Sequence, residues 1–309
     1  MCRKSTERLL PMGSILGLIL LFCVGISANG QDQQKEYVTK SFYATSLINM
    51  QTAEVIPLKQ IKFGIRHRFG LADINEDFLH EFMGLDKSSN IQFSFGAAIT
   101  DRFYLSIGRT KYLKQYDLEG KYAILKQTTD NSTPLSLSVY ADLSYHTDRF
   151  PEQVEGFDYL HTDSSTIFEY NNSHRFAYNY QLILGRKFAN WLSVQVAPQV
   201  VYRNLVPPGY DNLQVALPVG VRFKFAMFSS VIAEYMPVVS GKTEFAAPWG
   251  LGYEVGTPGH TFQFFICNSP NMMNQYLYST ETSRIKGGQF YIGFNIHRYL
   301  WIKQNTLEF

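Results

Sequence analysis

The chain has 309 residues, 28 Lys and Arg against 26 Asp and Glu, a formal net charge of +2 and a mean hydropathy of -0.14. The even charge, with no basic stripe, excludes a nucleic-acid partner, and the lack of any uninterrupted apolar run of roughly 18 residues after position 31 excludes a bundle of membrane-spanning helices. Yet aromatic residues make up 15% of the chain, a mixture that suits a closed barrel, which shows lipid only every second residue and girdles itself with aromatics.

In chain order, Arg3, Lys4 and Arg8 precede an apolar run from Ile15 to Ile26, and small residues follow at Ser27, Ala28 and Gly30. This is the order of a cleaved signal peptide, assigned to residues 1–30. Cys23 follows Phe22 inside the apolar run, so it is not a lipid-bearing Cys. Removal of Cys2 and Cys23 leaves Cys267 alone, which rules out an internal disulfide. No C-x-x-C pair is present for zinc or covalent haem, and no cofactor is expected. Residues 31–58 are expected either as a periplasmic tail or as a lumen plug, with Leu47, Ile48 and Val55 as packing residues.

From there on the pattern has period two. Ile91, Phe93, Phe95, Ala97 and Ile99 alternate with Gln92, Ser94, Gly96 and Ala98, and Leu135 to Ser144 and Leu213 to Phe225 repeat the alternation. Successive strand side chains point to opposite faces, so each segment has one apolar and one polar side. Strands are predicted near 59–69, 90–99, 102–110, 118–127, 134–146, 174–187, 191–203, 213–225, 229–236, 251–256, 260–268 and 288–298. Many reach the roughly 9 to 11 residues of a tilted membrane strand, longer than the strands of a soluble sandwich. Connections alternate between short ones, such as Thr100-Asp101 and Thr257 to Gly259, and long ones, such as Gly70 to Ser89, Thr147 to Ser173 and Ser269 to Gly287. Short periplasmic turns, long outer loops and an even strand count mark an outer-membrane barrel. Residues 59–309 are therefore expected to form an all-β, antiparallel, up-and-down transmembrane β-barrel of about 12 strands, with both termini periplasmic.

Leu47 to Glu54, Ile65 to Gly70, Met83 to Asp86, Ile99 to Arg109, Gly256 to Phe264 and Phe290 to Arg298 resemble, in order, blocks of a family of outer-membrane barrels of unknown function common in Bacteroidetes-type bacteria. Pro258-Gly259-His260 stands where that family usually reads Gly-Gly-His. The resemblance implies a barrel and supplies no catalytic residue or ligand.

Few residues suggest chemistry. His80-Glu81 opens like a zinc-protease motif, but Gly84 stands where the second His is needed. The loop holding His146, Asp148, Glu152, Glu155, Asp158, His161 and Asp163 lacks the spacing of a calcium loop and is expected as a solvated acidic loop. Ser136, Ser138, Ser144, Asp142 and His146 could serve a hydrolase only with partners from neighbouring strands, and the chain is not expected to be an enzyme. Parity instead directs Lys62, Arg66, Arg68, Lys121, Arg175, Arg203, Arg222 and Lys224 into the lumen, with Glu119, Asp142 and Glu234 as fewer acidic counterparts. Such an excess of inward cations favours anions. The expected function is a passive or gated outer-membrane conduit for a small anionic solute, set in outer-membrane lipid. The alternatives are a closed barrel serving a periplasmic protein and a lipid- or glycan-modifying enzyme.

Overall fold

A computed structural model describes residues 36–76, 78–150, 168–207, 210–243, 245–278 and 287–302. The strands are β1 (Gln60–Asp73), β2 (Asn90–Ala98), β3 (Phe103–Thr110), β4 (Gln115–Leu125), β5 (Ser136–His146), β6 (Phe176–Ala189), β7 (Leu192–Val196), β8 (Gln199–Arg203), β9 (Leu213–Ala216), β10 (Val219–Lys224), β11 (Ser229–Tyr235), β12 (Val238–Ser240), β13 (Trp249–Gly256), β14 (His260–Cys267) and β15 (Gln289–Trp301). All pair antiparallel in one sheet, and β15 returns to β1, from Gln60 opposite Trp301 to Asp73 opposite Gln289. β7 with β8, β9 with β10, and β11 with β12 are halves of single staves, so the barrel has twelve staves, as the alternation predicts.

The three splits have one cause. Pro198, Pro218 and Pro237 stand between the halves, and Pro248 precedes β13. Each proline carbonyl accepts a bond across the sheet: from Leu182 to Pro198 at 3.0 Å, Ala197 to Pro218 at 2.9 Å, Leu217 to Pro237 at 2.9 Å and Met236 to Pro248 at 2.8 Å. None can be returned, because proline has no N–H. Neighbouring register places these four rungs side by side, and each keeps one bond of the usual two.

Burial is inverted relative to a water-soluble fold. In β4, Gln115, Asp117, Glu119 and Lys121 are buried while Tyr116, Leu118 and Tyr122 are exposed. Phe95, Ile107, Leu143 and Phe223 are likewise exposed on the outside. A polar interior within an apolar exterior is stable only when the exterior meets hydrocarbon. At the short-turn rim Phe188, Trp191, Phe225, Phe228 and Trp301 are exposed and form an aromatic girdle.

Candidate functional site: the lumen and its two inserts

Residues 40–54 run inside the barrel, and most of them are buried. They enter at the short-turn rim, where Tyr37 bridges to Thr128 and the Val38 N–H donates to the Gln127 carbonyl at 2.8 Å. A hairpin follows: Thr52 N–H donates to Thr45 at 2.9 Å and Leu47 N–H to Met50 at 2.8 Å, which puts Ile48 and Asn49 at its tip. The tip reaches Arg68, eight positions along β1 from Gln60, or roughly 26 Å of strand at about 3.3 Å per residue. Glycines in the wall let it approach: a Cβ at Gly220 would lie 2.5 Å from the Leu47 Cδ1, and one at Gly250 would lie 2.8 Å from the Ile48 Cδ1.

Cations hold this hairpin through neutral oxygens. Arg68 Nη2 donates to the Ile48 carbonyl at 3.0 Å and to Asn49 Oδ1 at 2.9 Å, and Arg66 Nη2 to the same carbonyl at 3.2 Å. Lys121 Nζ donates to the carbonyls of Thr45 and Thr52 at 2.7 and 2.9 Å, and Lys62 Nζ to Thr45 Oγ1 at 2.9 Å. Arg222 Nη1 donates to the carbonyls of Lys40 and Ser41, both at 3.1 Å, and its guanidinium lies 3.6 Å from the centre of the Tyr43 ring. Glu234 does the converse, accepting from the N–H groups of Asn49 and Met50 at 2.8 to 2.9 Å. Among the described residues one buried ion pair forms, between Arg222 Nε and Glu254 Oε1 at 3.1 Å.

A second segment fills the lumen from the long-loop rim. Residues 268–278, between β14 and β15, are buried apart from Pro270, and Asn274–Leu277 form one helical turn. The sequence reading places this stretch in an outer loop, whereas the structure folds it inward. Gln275 Nε2 donates to the Asp142 carbonyl at 3.4 Å, Gln199 bonds to the Tyr278 hydroxyl, and the Arg203 guanidinium faces the Tyr276 ring at 5.9 Å. Leu277 and Tyr278 join Leu47, Ile48, Met50, Ile183 and Met236 in one apolar cluster, where the two inserts meet.

Of the residues that parity directs inward, Lys62, Arg66, Arg68, Lys121, Asp142, Arg203, Arg222 and Glu234 are buried. Lys224 is half-buried at the short-turn rim. Arg175 lies in a short 3-10 turn (Asn172–Arg175) at the opposite rim, where it donates to the carbonyls of His146 and Asp148 at 3.1 and 2.6 Å and covers the Phe150 ring. The buried charges balance among the described residues: Lys62, Arg66, Arg68, Lys121, Arg203 and Arg222 against Asp73, Asp117, Glu119, Asp142, Glu234 and Glu254. The buried set loses the expected cation excess because Arg175 and Lys224 lie at the rims, because β4 begins at Gln115, not 118, which turns Asp117 inward, and because Asp73 and Glu254 are also buried on β1 and β13.

Ser138 and Ser144 donate to the carbonyls of Ala53 and Ala177, at 2.9 and 3.3 Å. Glu152, Glu155, Asp158, His161 and Asp163 of the acidic loop lie outside the described residues, as do residues 1–30.

None of the curated proteins compared with the chain matches it. Among solved structures, the KdgM porin is similar over 77% of this chain and 98% of its own, with 8% identity and a TM-score of 0.44. The NanC porin covers 79% and 99% at 7% identity and a TM-score of 0.43, and an outer membrane channel from Pseudomonas putida F1 covers 80% and 98% at 9% identity and a TM-score of 0.43. The family described as membrane bound beta barrel domain (DUF5777) matches residues 42–300, a span that takes in the lumenal hairpin as well as the wall, and the chain belongs to that family.

Proposed function

We propose that the protein is a gated outer-membrane conduit for small anionic solutes, exported by residues 1–30 as a cleaved signal peptide and closed by the hairpin of residues 40–54. One observation carries the reading: Lys62, Arg66, Arg68, Lys121 and Arg222 give donors to neutral oxygens of the hairpin, Arg222 alone also holding a carboxylate. A carboxylate or phosphate oxygen makes the same contacts and adds charge, and charge-assisted bonds are roughly twice as strong as neutral ones. An anionic solute therefore competes for the cations that keep the barrel shut. Once the hairpin leaves, those cations lose their carbonyl partners and line the path among the carboxylates that balance them, with donors free for a solute anion.

Planar-bilayer recording on the full chain and on a variant lacking residues 40–54 tests this. The full chain should be mostly closed, and the variant should conduct with anion preference. Adding Arg66→Gln and Arg222→Gln to the variant should move the reversal potential toward cations, by an amount that shrinks at high salt. A folded variant that conducts nothing would overturn the conduit. Stoppering from both rims favours a second reading, a closed barrel that serves a periplasmic protein, and the silent variant would select it.

A further inference from the structure

The proline line leads to an opening in the wall. Beyond Pro237, β12 keeps its partner on one side only: Val238 pairs with Ala216 and Ser240 with Val215, whereas β13 begins at Trp249, opposite Tyr235. Between them lies a cavity of about 180 Å³, lined by Tyr235, Pro237, Val238, Phe245, Pro248 and Tyr278 among others. Tyr235 is exposed on the outward face, while Tyr278 is 1% exposed and belongs to the cluster where the inserts meet. One cavity thus touches both the lipid side and the lumen side of the wall.

Its level places it in hydrocarbon. Pro237 stands eight positions from Ser229 at the short-turn rim; at about 3.4 Å per residue and a tilt of about 40°, that is roughly 20 Å up an apolar band about 25 Å tall. Among the described residues, the side chains that line it are apolar or aromatic apart from Thr243, whose hydroxyl is spent on the Tyr278 carbonyl at 2.9 Å. A hydrocarbon chain asks for no hydrogen bonds and suits such side chains better than a sugar or an ion does. The adjoining rungs keep half their bonds, so the wall parts there at least cost.

We propose that this cavity is a lateral window that admits the hydrocarbon chain of a membrane amphiphile from the surrounding lipid as far as Tyr278. The window is distinct from the conduit, because the hairpin can remain in place while a chain occupies it.

The full chain, reconstituted in phosphatidylcholine vesicles containing a fatty acid with a terminal diazirine, should be photolysed and its adducts mapped by peptide mass spectrometry. Adducts are expected on Tyr278 and Phe245 as well as on the outward Tyr235 and Val239. Ala247→Trp should close the window and lower the Tyr278 adduct several-fold relative to Val239; Ala246→Phe replaces it should the first variant lose its heat-modifiable migration. Adducts on Val239 and Tyr235 with none on Tyr278 would overturn the proposal. So would a Tyr278 adduct that the folded closing variants leave unchanged, since the probe would then arrive through the mouth. The window is tested on the full chain with the hairpin in place, whereas the gate is tested by deleting the hairpin, which separates failure of the window from failure of the gate.

Discussion

The two segments that meet in the lumen share one apolar cluster but differ in how far charge holds them. The hairpin of residues 40–54 is tied by its main chain to four buried cations and one carboxylate, and by the Thr45 hydroxyl to a fifth cation, Lys62, each such charged bond contributing about 1.5 to 3 kcal/mol. The segment 268–278 bears no charge, and Met272, Met273, Leu277 and Tyr278 are all buried in it; burial of such side chains contributes about 1.5 to 3 kcal/mol apiece. Anions and salt therefore act on the first and leave the second in place. A barrel stoppered in this way can open from one end under a charged solute while the other stopper keeps its position.

The largest effect should follow loss of the tip contacts. Arg66→Gln with Arg68→Gln removes both cations from the Ile48 carbonyl, a loss of about 3 to 6 kcal/mol if the two add. A reporter Cys placed at buried Ala44 should then react with maleimide roughly a hundredfold to ten-thousandfold faster than in the otherwise wild-type chain. Equal rates in the two proteins would mean that the apolar cluster alone holds the hairpin, and the contrast between the inserts would collapse.

Leu277→Ala probes the other insert and should lower stability by about 2 to 5 kcal/mol, the usual range for a buried Leu truncated to Ala. Urea unfolding of the reconstituted barrel should show the loss unchanged between low and high salt, while the hairpin variant should grow less distinct from wild type as salt screens its cations. A salt-dependent loss at Leu277 would contradict apolar anchoring.

Much of this architecture is legible in the sequence because each wall residue answers to one of two environments, and period two reports which. Phe93 and Phe95 read outward and Ser94 inward from the alternation alone, and the structure exposes the two rings and buries the hydroxyl. Asp117 shows how boundaries fail: a strand begun at 118 leaves it in the loop, yet it is the second inward residue of an alternation, Gln115-Tyr116-Asp117-Leu118-Glu119, visible in the sequence. The insert at 268–278 carried a signal too, since an outer loop with no charge from Cys267 to Tyr278 and two adjacent Met is poorly suited to water. The acceptors of the cations were not legible. Arg222 meets the Lys40 carbonyl across 182 positions, and no local pattern encodes which backbone oxygen a guanidinium will find.

The smallest expected effect tests the contact between the hairpin and the Glu234 carboxylate of the wall. Glu234 accepts from two consecutive N–H groups, those of Asn49 and Met50, which form a small nest for a negative charge. Glu234→Gln keeps the length of the side chain and one oxygen, so one N–H keeps its acceptor while the other faces an amide that can only donate. The loss should be about 1 to 2 kcal/mol, less than at the arginines, and the Ala44→Cys reporter should react roughly tenfold faster. The variant also removes a carboxylate from the region of Arg66 and Arg68, leaving those cations freer for an added anion, so citrate should speed labelling at lower concentration than in wild type. If the variant labels faster but citrate acts no more strongly, the nest is a structural tie alone, and the competition between anion and hairpin is confined to the carbonyl side of the tip.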